Sequence, residues 1–378
     1  MPNRRSSRRA KPRRVRYAVV GLGYIAQAAV LPAFAHARKN SELAALVSDD
    51  EKKLRELSRR YRVPATYTYE GYADCLKSGD IDAVYLALPN FLHRDYAVAA
   101  ARAGIHVLCE KPLAVTEEEC EDMIRAARQA GVRLMTAYRL HFDKGNLEAV
   151  RVAKSRKLGE PRLFQSLFTM QVKEGNVRLE PEDRGGGPLY DIGIYCINAA
   201  RYLFRDEPIE AFAVRATSGD GRFREVAETA SALLRFPGDR LAAFTCSFGA
   251  ADVGWYQLVG AKGDLRMDPA YEYAKPLEQE VTIDGKTRKR VFAKRDQFAP
   301  ELVAFSEAVL SGRDPEPSGV EGLADVRVIR ALIRSADSGR PVSLPAFSRR
   351  ERPGPRQEIS KPPVEMPELV HADSPSEE

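Results

Sequence analysis

Cysteine is scarce in this 378-residue chain. There are five (Cys75, Cys109, Cys120, Cys196 and Cys246), an odd number with no CxxC pair. That excludes a disulfide framework and a thiolate zinc site. No metal is expected, and a reducing, cytoplasmic setting is the simpler one. No apolar run reaches the ~20 residues that a membrane-spanning helix needs, so no membrane partner is expected. No internal repeat is present. The globular part also lacks a charge surplus. The net charge is +6, but the eight Lys and Arg between Arg4 and Arg16 contribute +8, which leaves −2 for the rest. The basic character therefore lies in an arm at residues 1–14. It is read as a disordered, solubilising segment rather than a nucleic-acid contact. A twin-arginine export signal would need an apolar segment after the arginines, and the only one, at 17–20, is required by the first strand. The stretch 346–378 is rich in Pro, Glu and Ser without apolar periodicity, and is read as a disordered tail.

What is present is an ordinary globular composition, 44% hydrophobic and 30% charged, with length for two domains. The most informative segment runs from Gly21 to Ala26, a Gly-x-Gly-x-x-Ala turn after one short apolar run and before an Ala-rich one. Gly21 permits the turn out of a strand. Gly23 lets backbone approach a pyrophosphate, with Tyr24 and Ile25 beside it. Ala26 keeps the following helix close to the sheet, and the helix N-terminus offers N–H groups to the phosphates. Strands at 16–20, 43–48, 83–86, 106–110 and 133–136 alternate with helices at 25–37, 51–61, 94–103 and 117–130. Thr116 and Glu119 form a capping box for the last helix. Residues 15–138 therefore read as a doubly wound, dinucleotide-binding α/β domain. After Tyr138, strands follow one another at 161–168, 209–217, 228–236, 240–248, 255–260 and 263–267, with helices at 193–203, 301–310 and 320–338. Residues 139–345 read as an α+β domain with a large, mostly antiparallel open sheet. Such a sheet needs cover on its outer face, so a homo-oligomer, dimer or tetramer, is expected.

Four constellations carry chemistry. Ser48, at the tip of the second strand, and Lys53 lean to the 2′-phosphate of NADP. Asp49 and Asp50 beside them argue the other way. Leu88, Asn90 and His93 follow the strand 83–86 at the sheet edge where ligands bind. They are read as contacts to the nicotinamide ribose and substrate, or as a helix-capping arrangement. Glu110 and Lys111 end a buried strand at the same edge; Lys111 can polarise a substrate oxygen, and the following Pro112 allows a cis bond. The glycines 185–187 permit close approach of backbone to a ligand. Asp191 and Tyr195, four residues apart, share a helix face and with Lys111 form a proton-transfer set. The bland alternative makes them a helix cap and a core aromatic.

Together these segments resemble the Gfo/Idh/MocA oxidoreductase family, over about residues 14–344, and within it the glucose–fructose oxidoreductase branch. The matching text is VVGLGYIA, LVSDDEKK, DAVYLALPNFLH, CEKPLAV, AYRLHFD and RGGGPLYDIGIYCINAARYL. The resemblance implies that Lys111 contacts nicotinamide and substrate and that Tyr195 gives or takes the proton. It places Ser48 and Lys53 on NADP-binding positions, with Asp49 where glycine is more usual. Asp191 would hold Tyr195 or a substrate hydroxyl, and Arg139 and His93 would be further contacts. Val177 stands where a tryptophan is expected near the cofactor, which implies that NADP exchanges freely. The implied activity is hydride transfer between NADP (or NAD) and a carbinol or carbonyl carbon of a sugar or cyclic polyol. Neighbouring readings are a trans-dihydrodiol or aldose dehydrogenase and a keto-sugar reductase. A non-catalytic dinucleotide-sensing regulator is the alternative of another class, and the intact Lys111, Asp191 and Tyr195 argue against it.

Overall fold

The computed structural model describes residues 14–349 and 352–376. The basic-arm expectation for residues 1–13 lies outside them. The first domain is a six-stranded parallel sheet of β1 (Val15–Val20), β2 (Ser41–Val47), β3 (Ala65–Tyr67), β4 (Ala83–Leu86), β5 (His106–Glu110) and β6 (Leu134–Ala137), in the order β3-β2-β1-β4-β5-β6. Helices α1 (Leu31–Ala37), α2 (Glu51–Tyr61), α3 (Tyr72–Lys77), α4 (His93–Arg102) and α5 (Glu117–Ala130) connect them. A short π-helical turn, Ala26–Val30, precedes α1. The order reverses between β1 and β4, and that switch point leaves a crevice at the carboxyl ends of the strands. The capping box of α5 is present. The Thr116 hydroxyl accepts from Glu119 N at 3.2 Å, and the Glu119 carboxylate accepts from Thr116 N at 3.1 Å. Among the described residues no helix is long and apolar enough to cross a membrane.

The second domain begins with α6 (Lys144–Lys154), which periodicity did not reveal. It carries a nine-stranded sheet built from β7 (Pro161–Gln171), β8 (Glu210–Ala216), β9 (Thr229–Phe236), β10 (Arg240–Ser247), β11 (Gly249–Gly260), β12 (Gly263–Met267), β13 (Leu277–Ile283), β14 (Lys286–Phe292) and β15 (Val342–Ser343). Only β7 and β10 pair in parallel; the other pairs are antiparallel. Helix α7 (Ile194–Phe204) lies under this sheet. Helices α8 (Ala299–Ser311) and α9 (Gly319–Ser338) return to the first domain. Phe298, Leu302 and Phe305 join the core of β1 and α1. The first domain's core is thus completed by residues far along the chain. Arg201, 1% exposed, ties α7 to α9 through Glu321 and Asp325. A charge so buried is tolerated because it is fully paired.

The tail differs from expectation. Residues 352–376, with one short 3-10 turn at Pro355–Gln357, run over both domains. Arg352 pairs with Glu207 at 2.6 Å, and Val370 is 4% exposed in the core beside α1. Single polar and apolar anchors hold it, and these leave no periodic pattern to read.

Candidate active site

The loops after five strands line one cleft of about 1120 Å³ between the domains. Their sequence across the sheet is Ser48 after β2, Gly21 to Ile25 after β1, Leu88 and Asn90 after β4, Lys111 after β5 and Arg139 after β6. At Gly21, φ is 89°, and a Cβ would stand 2.4 Å from the Ala87 carbonyl oxygen, so only glycine fits. At Gly23 a Cβ would meet nothing within 4 Å. The missing side chain there leaves bare backbone facing the cleft, the cradle a pyrophosphate needs. The residues present therefore fit a dinucleotide, laid from Ser48 towards Lys111.

At the end beside β2, both aspartates of the Ser48–Lys53 turn are engaged locally. Asp49 accepts the Tyr69 N–H at 2.8 Å. Asp50 caps α2, accepting Lys53 N at 3.0 Å, and pairs with His371 Nδ1 at 2.9 Å. The Lys53 N–H and His371 hold the Asp50 carboxyl below its usual range. Ser48, Lys53, Tyr69 and His371 line the cleft, and Asp49 and Asp50 do not. Local capping directs both carboxylates away from the cleft lining, which lessens the objection they raised to a 2′-phosphate.

At the other end, Lys111 Nζ donates to Asp191 Oδ1 at 2.8 Å and to the Asp191 carbonyl at 2.7 Å. The Lys111–Pro112 bond is cis. The second oxygen, Asp191 Oδ2, accepts Arg178 Nε at 2.6 Å. Burial works against both charges. For Asp191 the cations Arg178 and Lys111 outweigh it and keep the carboxyl well below its usual range. For Lys111, Asp191 and Tyr195 outweigh it and hold the ammonium above its usual value. Of the two roles expected from sequence for Asp191, holding Tyr195 or a substrate hydroxyl, the first is not seen. The Asp191 carboxylate is committed to Lys111 and Arg178. Tyr195 lies instead between two cations, with Lys111 Nζ and the Arg139 guanidinium each 5.0 Å from its ring centroid. Phe168 and Tyr271 pack on the same ring. Arg139 is 6% exposed, bound to Gln297 and to the Tyr271 carbonyl.

His93 is misplaced by the sequence reading. It is fully buried behind the cleft wall, with Nδ1 2.9 Å from the Pro112 carbonyl and Nε2 2.9 Å from that of Leu88. Burial pushes its pKa down. It braces the two loops that carry Leu88 and Lys111 and lies outside the cleft lining. Asn90 lines the cleft and donates to the Gly185 carbonyl at 2.7 Å, joining the two domains. In the glycine triplet, Gly185 and Gly187 line the cleft, whereas Gly186 serves chain packing: a Cβ there would stand 1.6 Å from the Glu180 carbonyl oxygen. Glu110 accepts the Tyr85 hydroxyl at 2.7 Å.

Among the wall residues that escaped the sequence reading are Arg178 and Glu301. Arg178 sits in a loop thirteen residues before Asp191, with no local signal. Glu301, in the first turn of α8, is 0% exposed, and neither carboxyl oxygen has a partner. Burial, with Glu110 close by, pushes its pKa well up.

Residues 15–138 match the model described as an oxidoreductase family with an NAD-binding Rossmann fold, and residues 146–266 match the GFO/IDH/MocA C-terminal domain. D-xylose 1-dehydrogenase (NADP(+)) 2 of Haloferax volcanii is 31% identical over 332 residues, covering 87% of this chain and 99% of that protein. The solved aldose-aldose oxidoreductase from Caulobacter crescentus, complexed with glycerol, superposes with a TM-score of 0.83 at 38% identity, over 88% of this chain and 100% of that one. A 3-ketoreductase from Actinomadura kijaniata, solved with NADP and TDP-benzene, gives 0.78 at 29% identity, over 85% and 98%.

Proposed function

The chain belongs to the Gfo/Idh/MocA oxidoreductase family, and from that premise we propose that it oxidises and reduces sugars at a carbinol carbon, with NADP as preferred cofactor. The observation that carries this reading is the Lys111–Asp191 pair set against Tyr195 in a cleft that fits a dinucleotide. The cleft wall from Ser48 through Gly21–Ile25 to Lys111 would hold the dinucleotide, which would supply hydride acceptance and donation. Lys111, kept charged and aimed by Asp191, polarises the reacting oxygen. Tyr195, flanked by Lys111 and Arg139, takes the hydroxyl proton in oxidation and returns it in reduction. Arg178 and Asp191 are positioning residues: they fix Lys111. Ser48 and Lys53 receive the 2′-phosphate, since Asp49 and Asp50 are spent elsewhere.

The assembly we propose is a homodimer through the open face of the large sheet. Leu163, Leu241, Leu233 and Val214 share that face, 37–54% exposed, and Leu163 and Leu241 are direct cross-strand partners. Five buried, unpaired thiols suit a reducing, cytoplasmic setting. The test is turnover of NADP with aldoses, lactones and cyclic trans-diols, beside NAD. Turnover of aldoses or lactones supports the reading. Binding of NADP without turnover of any of them defeats it.

A further inference from the structure

The tail crosses the mouth of the cleft. On the first-domain side, Gln27 and Val370 exchange two hydrogen bonds, Nε2 to the Val370 carbonyl at 2.9 Å and Val370 N to Oε1 at 2.8 Å. Gln27 is 1% exposed and lies one residue beyond Ala26, so the anchor is built into the dinucleotide turn itself. Arg60 donates to the Glu368 carbonyl at 2.5 Å, and His371 reaches Asp50. At His371 φ is 46°, where the chain turns into the cleft. On the second-domain side, Lys173 N donates to the Pro375 carbonyl at 3.0 Å, and Val172 and Ser376 form an antiparallel bridge. Between these anchors, residues 371–376 form part of the cleft wall.

We propose that residues 370–376 are a strap that completes the dinucleotide site and must lift before the nucleotide can leave. With the strap seated, the cleft still encloses about 1120 Å³. That lies above the ~300–1,000 Å³ usual for small-ligand pockets, so the segment roofs the site without filling it. It is fastened to both domains, so opening requires breaking at least one set of anchors. Release is then limited by a conformational step, as in lidded enzymes. His371 stands beside Lys53 at the end assigned to the 2′-phosphate, so lifting the strap uncovers that end. The free exchange expected from Val177 is replaced by gated exchange. The proposal rests on the cleft's cofactor reading.

The experiment is displacement of bound NADPH by excess NADP⁺, followed by stopped-flow fluorescence. It compares the full chain, a chain ending at residue 369, Val370→Asp, and the double variant Val172→Cys with Ser376→Cys. The directly opposed pair has the Cα separation of antiparallel partners, ~4.5–5.5 Å, within disulfide reach. Truncation and Val370→Asp should each speed release at least tenfold. The oxidised cysteine pair should slow it at least tenfold, and reduction should restore the original rate. Release that is unchanged by both truncation and cross-linking overturns the strap while leaving the cofactor reading intact. Tighter binding in the truncated chain also overturns it, because the segment would then compete with the nucleotide. Absence of NADPH binding in every form overturns the cofactor reading and the strap together.

Discussion

Asp191→Asn isolates the carboxylate's charge with almost no change of shape. In the native protein the carboxylate stands 2.8 Å from Lys111 Nζ and 2.6 Å from Arg178 Nε, and the Lys111 and Asp191 side chains are only 13% and 17% exposed. Removing one partner of a buried ion pair costs about 3–5 kcal/mol. Lys111 keeps its 2.7 Å bond to the Asp191 carbonyl, so the lower end applies. That cost falls on stability; in kcat/KM, a Lys111 no longer held in place should lose roughly 100-fold, as for a misplacement of about 1 Å. The pH profile should move as well. Asp191 is the largest influence holding the Lys111 ammonium above its usual value against burial. Without it, burial wins and Lys111 loses its proton at lower pH. If the protonated form is the active one, activity is lost earlier as pH rises, so the alkaline limb moves down. The assay is kcat/KM from pH 6 to 10 with the aldose turned over best, together with NADPH affinity by titration. Turnover within threefold of the parent and an unmoved alkaline limb would refute the role given to this pair.

Other expectations come from the same geometry. Tyr195→Phe should preserve fold and NADPH affinity and lower the hydride-transfer rate about 10²–10⁴-fold in stopped-flow, the usual contribution of a positioned acid–base group. A near-normal rate would reduce the phenol to a packed aromatic. Lys53→Ala should weaken NADPH by about 1–2 kcal/mol in calorimetry and leave NADH unchanged, as for one charge-assisted contact. Equal losses for both cofactors would detach Lys53 from the 2′-phosphate. Glu301 keeps its proton in the folded state to a pH well above that of the unfolded chain. The folded form therefore binds the extra proton in that window, and stability falls as pH rises through it. Glu301→Gln should flatten the decline in melting temperature between pH 5.5 and 8.5. The variant should gain stability at the alkaline end, on the order of 1–3 kcal/mol, the cost of a buried group left unpaired. Parallel pH dependences in parent and variant would show that Glu301 does not titrate in this way.

Local chemistry along the chain was enough for the first domain's βαβ rhythm, the glycine turn, the α5 capping box and the arrival of Lys111 at the sheet edge. Each depends on neighbours within a turn or a strand, where apolar period and backbone freedom can be read directly. The hairpin β13–β14 was missed, although Asp284-Gly285, with φ of 49° and 72°, marks its turn. It was obscured because β14, KTRKRVF, is a charged edge strand without alternating apolar residues. The partners of the polar groups were a matter for tertiary structure. Arg178 meets Asp191 across a loop. Gln27 meets Val370 across 343 positions. His93 turns inward to two carbonyls, and Asp49 and Asp50 turn away from the cleft. A hydrogen bond or ion pair has direction but no period, so its partner emerges only when packing brings distant segments together. For that reason the residues able to carry the chemistry could be named from the sequence, whereas what aims Lys111, what surrounds Tyr195 and what roofs the cofactor were decided by the fold.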